Sequence, residues 1–139
     1  MIHYQLAEIH QIARGLIAKY WSFYRVYCLC APMGSGKTTL TSALLQQLGV
    51  EQVQSPTFGI VHTYPVAPQQ QIHHYDLYRL RDSRELIELG IEEQLNSEQD
   101  YCLIEWPDLL LAKWQGRRIE IHLNYVDEQT RSMTIYEFK

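Results

Sequence analysis

An α/β fold, with a parallel sheet at its centre, helices flanking it and antiparallel strands added, is predicted by three features of the sequence. Val26–Cys30 and Cys102–Ile104 are short, continuous apolar runs, the pattern of strands covered on both faces. Segments with helical spacing or helix-capping residues separate the strand-like runs, as crossovers between parallel strands require. The C-terminal part instead alternates apolar and polar residues, with Ile119, Ile121, Leu123 and Tyr125 followed by Met133 and Ile135.

Taken in order, the first element is an amphipathic helix. Leu6, Ile9, Ala13, Leu16, Ile17 and Tyr20 recur at helical spacing, with Glu8, Gln11 and Arg14 between them. The Val26–Cys30 strand follows, then a glycine-containing loop, then a helix from Lys37 to Leu48 ended by Gly49. Beyond Ser55-Pro56-Thr57, strand-like pieces run from Gly59 to Tyr64 and from Gln71 to Tyr75, and Pro65 and Pro68 punctuate the turn between them. Asp82 or Ser83 caps a short helix through Glu85, Leu86 and Leu89 that stops at Gly90. The Cys102–Ile104 strand ends at Glu105, and Pro107 suits the first turn of another helix. The last two strands read as a half-solvated antiparallel hairpin turning near Asp127-Glu128-Gln129-Thr130.

With 139 residues, the chain suits a single domain, residues 1–139, around one core. No apolar stretch approaches the roughly 20 residues that span a bilayer. The first residues also lack the charged start and apolar run of a signal peptide. A cytoplasmic protein without membrane association is expected. A net charge of −4 argues against a generally basic surface for sequence-independent nucleic-acid binding, so any RNA is expected to be gripped mainly by another protein. Lys113, Arg117 and Arg118 form at most a local basic patch. Cys28, Cys30 and Cys102 have no Cys or His partners at ligand spacing, and buried, reduced thiols are expected.

The strongest chemical signal is Ala31-Pro32-Met33-Gly34-Ser35-Gly36-Lys37-Thr38. It matches a phosphate-binding loop except that Ala31 replaces the first glycine. At a strand-to-helix turn, consecutive backbone N–H groups converge on an anion and the helix N-terminus adds partial positive charge. Gly34 and Gly36 permit conformations that a Cβ would obstruct. Lys37, expected to face solvent, can reach the β- and γ-phosphates, and the Thr38 hydroxyl can ligate Mg²⁺. A chance match within a glycine turn would not place a buried strand before it and a helix after it. ATP with Mg²⁺ is the expected ligand, in a P-loop NTPase-like fold, with Thr39 and Arg131 counted among the nucleotide-contacting residues.

Glu105 closes a buried strand, where a carboxylate can hold Mg²⁺ or polarise an attacking water; an exposed acid at a strand end is the plainer alternative. Trp106-Pro107 beside it fits core packing and a site role equally. In His74-Tyr75-Asp76-Leu77-Tyr78-Arg79, Asp76 could orient water or metal and Arg79 could meet phosphate, although an Asp–Arg pair is more often a structural salt bridge. His73 and His74 point to opposite faces of a strand and make a poor joint metal site.

These segments together resemble the TsaE family, bacterial P-loop ATPases of tRNA threonylcarbamoyladenosine synthesis. The family pattern of phosphate loop, Ser-Pro-Thr loop, His-x-Asp-x-Tyr-Arg strand end and Glu-Trp-Pro appears in order as Ala31–Thr38, Ser55–Thr57, His74–Arg79 and Glu105–Pro107. Glu85-Leu86 and Leu89-Gly90 are similar to the short helix between the last two. The resemblance implies a subunit that supplies ATP hydrolysis to the TsaB and TsaD proteins, which modify the adenosine beside the anticodon. It also implies phosphate binding by Met33 to Thr38, Mg²⁺ ligation by Thr38 and Glu105, and catalytic roles for Lys37, Asp76 and Glu105. The family's Gly-Asp at the loop start is Ala31-Pro32 here, so the role of that aspartate is absent, and Pro32 has no N–H to donate.

Two other functions stay open. A small-molecule kinase would carry an arginine-bearing lid, and Asp108–Trp114 is an apolar stretch without one. A nucleotide-dependent assembly switch with negligible turnover is compatible with Ala31-Pro32. A GTPase is disfavoured because no Asn-Lys-x-Asp motif is present.

Overall fold

In a computed structural model that describes residues 1–53 and 60–139, a seven-stranded sheet forms the middle of three layers. Its strands are β1 (Ile2–Gln5), β2 (Val26–Cys30), β3 (Val61–Ala67), β4 (Gln70–Asp76), β5 (Tyr101–Glu105), β6 (Arg118–Tyr125) and β7 (Thr130–Phe138), in the order β1-β7-β6-β2-β5-β4-β3. The central strands β6, β2, β5 and β4 are parallel, while β3, β7 and β1 pair antiparallel outside them. The predicted α/β class with a parallel centre and antiparallel additions is the observed one.

Strand alternation divides the core in two. Tyr27 and Leu29 of β2, with Tyr101 and Leu103 of β5, pack under α1 (Ile9–Tyr20) and α2 (Lys37–Gln47). Val26 and Cys28, with Cys102 and Ile104, pack under α3 (Ser83–Leu89), α4 (Ile91–Leu95) and α5 (Asp108–Leu111). Every residue of β5 is buried, which explains an apolar run unbroken until Glu105. The helix boundaries follow local chemistry. Asp82 caps α3 by accepting the Arg84 N–H, Gly90 ends it in a left-handed conformation, and Gly49 at φ +96° follows α2.

Five elements depart from expectation, and one is α4, a short helix that resumes directly after Gly90 where no helix was expected. β1 is unpredicted, because only Tyr4 of its residues is buried and the strand exists through pairing with β7. Leu6–Glu8 is a 3-10 turn, so α1 begins only at Ile9. β6 is an interior strand rather than half of a solvated hairpin. It also pairs with β2, and the polar residues Arg118 and Glu120 are buried against each other. Pro65 lies within β3 and not in the turn, at a register shift on an edge strand where its missing N–H is tolerated. Ser55-Pro56-Thr57 and the predicted strand start at Gly59 lie outside the described residues. Among the described residues no helix is long and apolar enough to cross a membrane.

Leu103 is fully buried at the centre of the sheet. Leu103→Ala is expected to lower the unfolding free energy by about 2–5 kcal/mol in urea denaturation, with little change in far-ultraviolet circular dichroism. A much smaller loss would mean that the core beneath α2 collapses to fill the space.

Candidate functional site

Three parallel strands end side by side, and their register decides which residues meet. Leu29 of β2 lies opposite Glu105 of β5, which lies opposite Asp76 of β4. From β2 the chain runs through the loop into α2, so loop, Glu105 and Asp76 share the carboxyl edge of the sheet, where open α/β sheets bind ligands. A cavity of about 440 Å³ opens there, lined by Met33, Gly34, Gly36, Lys37, Thr38, Thr39, Asp76, Glu105 and Arg131, together with Leu6, Tyr78 and Trp106.

Glycine shapes the loop. Gly34 at φ +75° and Gly36 at φ +98° occupy the region that strains any residue with a Cβ. Gly36 passes directly into α2, and among the described residues no side-chain hydrogen bond caps that helix, whose first N–H groups have no intrahelical acceptors. Ser35 is buried and its hydroxyl donates to the Pro32 carbonyl at 2.5 Å. Its side chain therefore braces the loop from within and does not line the cavity.

Lys37 does not face solvent as expected. It is 7% exposed, and its Nζ donates to the carbonyls of Ala31 at 2.9 Å and Pro32 at 3.1 Å. The ammonium also lies 3.9 Å from the centre of the Trp106 ring. Burial pushes the Lys37 pKa down, while Glu105, Asp76 and Asp108 act against it. Trp106 reaches this position through a left-handed backbone, φ +54°, and its ring also meets Tyr78 at 4.9 Å. A non-glycine residue held in such a conformation is typical of functional sites. Trp106 is only partly buried and lines the cavity.

Glu105 is 2% exposed, and its Oε2 accepts a hydrogen bond from His74 Nε2 at 2.5 Å. His73, on the other face, bonds Asp100 and Thr63 instead, so the two histidines serve different partners. The Asp76 carboxylate accepts the Tyr78 N–H at 3.1 Å. Burial pushes the Asp76 pKa up and Glu105 adds to the effect, against that hydrogen bond. Arg79 is exposed, lies outside the cavity lining and makes no ion pair with Asp76 among the described residues.

Arg131 does reach the cavity. It comes from β7, with Nη1 donating to the carbonyls of Asp127 at 2.5 Å and Thr130 at 3.0 Å. Its Nε is buried without a partner among the described residues, and a Cβ on Gly36 would lie 3.8 Å from it. Leu6 carries no sequence signal for this site. It arrives because its N–H donates to Gln129 in the turn before β7.

A family model described as threonylcarbamoyl adenosine biosynthesis protein TsaE matches residues 4–133. The chain belongs to the TsaE family. The tRNA threonylcarbamoyladenosine biosynthesis protein TsaE of Haemophilus influenzae is 41% identical over 97 residues, covering 69% of this chain and 60% of the relative. The protein of the same name from Rickettsia felis is 35% identical over 112 residues, covering 79% of this chain and 64% of the relative. This TsaE chain thus spans less than two thirds of the length of either relative. The crystal structure of Bacillus subtilis YdiB shares its fold, with a TM-score of 0.75 at 22% identity over 99% of this chain and 86% of that one.

His74→Leu is expected to destabilise this TsaE chain by about 3–5 kcal/mol in urea denaturation, because it leaves Glu105 buried without its partner. His74→Gln, which keeps a donor, is expected to cost less. A His74→Leu protein as stable as its parent would mean that Glu105 finds water.

Proposed function

We propose that the chain is the ATP-hydrolysing subunit in formation of tRNA threonylcarbamoyladenosine beside the anticodon. In this reading it acts with TsaB and TsaD in the cytoplasm, and residues 1–139 form one ATPase domain. The observation that carries the nucleotide assignment is the uncapped N-terminus of α2, which opens with Gly34 and Gly36 onto the cavity that holds Lys37 and Arg131. The orphaned Nε of Arg131 supports an anionic ligand, since a buried donor without a partner is costly. The names of the relatives support the pathway.

The backbone of Met33 to Thr39 holds the phosphates, Lys37 reaches the β- and γ-phosphates, and Arg131 adds a further positive charge. The Thr38 hydroxyl and the Glu105 carboxylate are hard oxygen donors of the type Mg²⁺ prefers. With Oε2 bonded to His74, Glu105 would hold the metal through its remaining oxygen. When bound, Mg²⁺ would supply charge neutralisation to the phosphates held by the loop. Asp76 orients the attacking water as a hydrogen-bond acceptor, and its raised pKa makes it a better one. Given the net charge of −4, tRNA is held mainly by the partners.

Slow turnover by the chain alone fits the way its cations are held. Lys37 is bonded to loop carbonyls and Arg131 to hairpin carbonyls, so both must exchange those partners for phosphate. A partner that fixes Asp76 and Arg79 supplies the organisation on which electrostatic catalysis depends. The same grip on Lys37 favours a second reading, a nucleotide-dependent assembly switch with negligible turnover.

Lys37→Ala is expected to lower steady-state phosphate release by about 10²–10³-fold. Unchanged turnover and ATP affinity in that variant would remove the phosphate-loop assignment. Phosphate release by the parent chain is expected to be slow alone and to rise when TsaB and TsaD are added. Full activity alone, indifferent to the pair, would point to an independent ATPase or kinase. Tight ATP binding without release in either condition would select the switch.

A further inference from the structure

On the sheet face opposite the nucleotide cavity, the β2–β6 register brings Cys30 beside Glu120 and His122, which lie two residues apart on β6. Cys28 lies opposite Glu120, and Cys30 opposite His122. One ligand atom from each of Cys30, Glu120 and His122 lies within 4.8 Å of the other two. The expectation that Cys30 has no metal-ligating neighbour is overturned, because its neighbours come from another strand. A cavity of about 430 Å³ opens beside them, with Cys30, His122 and Asp108 in its lining.

We propose that Cys30, Glu120 and His122 form a binding site for a divalent transition-metal ion of the zinc class, separate from the nucleotide site. Thiolate, imidazole and carboxylate together are a donor set suited to Zn²⁺, whereas Mg²⁺ demands oxygen ligands. Metal–ligand bonds of about 2.0–2.3 Å in a tetrahedron set donor atoms roughly 3.3–3.8 Å apart, so the present cluster closes on an ion with small side-chain shifts. Three protein ligands leave a fourth position towards the cavity, for water or for Asp108.

The cluster is also supported from behind. Arg118 Nε and Nη2 donate to Glu120 Oε2 at 2.8 and 2.7 Å, which leaves Oε1 towards His122 Nε2 at 3.0 Å. Outer partners of this kind orient ligating carboxylates. Tyr136 holds the His122 ring edge-on, with centroids 5.0 Å apart. On binding, the ion takes the place of the Nε2 proton that His122 donates to Glu120: the neutral ring passes that proton to solvent and takes one up on Nδ1, and Cys30 releases its thiol proton to solvent. Arg118 is already matched by Glu120, so the Cys30 thiolate and Asp108 offset the charge of the ion. Cys30 directly precedes Ala31, and Pro32 lines the same cavity, so the ion tethers the start of the phosphate loop to β6.

The test is titration of the metal-stripped chain with Zn²⁺ in excess Mg²⁺ without nucleotide, by calorimetry, with Co²⁺ as an optical probe. One equivalent should bind, Cys30→Ser and His122→Ala should each weaken binding by at least about tenfold, and Co²⁺ should show a thiolate charge-transfer band. Absence of stoichiometric binding, displacement by Mg²⁺, or affinity unchanged in either folded variant overturns the site. Should a variant misfold, the Co²⁺ spectrum of the parent decides. The other two cysteines are buried in the sheet, so a thiolate band reports Cys30 and its absence overturns the proposal.

Discussion

Leu29, Glu105 and Asp76 lie in one row across three parallel strands, and this register is the constraint from which the rest of the site follows. A one-residue slip of β5 would put Ile104 in the row and turn the Glu105 carboxylate to the opposite face. The His74–Glu105 hydrogen bond opposes such a slip, because a buried carboxylate that loses its partner is strongly unfavourable. A polar contact thus keeps β4 and β5 in the alignment that brings Asp76 to the cavity. The apolar runs on either side favour burial but do not discriminate between registers as sharply.

The same edge of the sheet concentrates groups that burial disfavours. Lys37, Asp76 and Glu105 sit together, and the carboxylates partly offset the cost of burying the ammonium. Trp106, in a left-handed conformation, covers Lys37 and meets Tyr78. Strain and desolvation at one place are tolerated because the strands beneath are packed on both faces. The loop cation is held by its own main chain, so the site is preformed in shape while its charges are still engaged locally. In the proposed function, those local bonds would be exchanged for phosphate.

β6 shows how a polar pair can lie inside a sheet. Arg118 and Glu120 would face water in an edge hairpin, yet pairing with β2 buries them, and the ion pair with its added hydrogen bonds makes that burial possible. Aromatic faces from Trp114 and Phe138 enclose the guanidinium. Because Glu120 is oriented by this pair, it meets His122 and Cys30 at a defined spacing. A structural ion pair and a potential ligand set share one carboxylate.

The sequence alone determined the fold class, most helix boundaries and the phosphate loop. Buried-strand runs, Asp82 before α3, the glycines at 49 and 90, and the loop from Ala31 to Thr38 act within a few residues of chain, so their physics is readable locally. It also marked Asp76 and Glu105 by their places at strand ends. Tertiary structure alone decided that Lys37 is buried, and that Trp106 and Leu6 line the cavity. It likewise decided that β1 exists, that β6 is interior, and that Cys30 meets Glu120 and His122. Each of these depends on which strands lie side by side. That choice is made by burial and cross-strand pairing over the whole sheet, and no local pattern carries it.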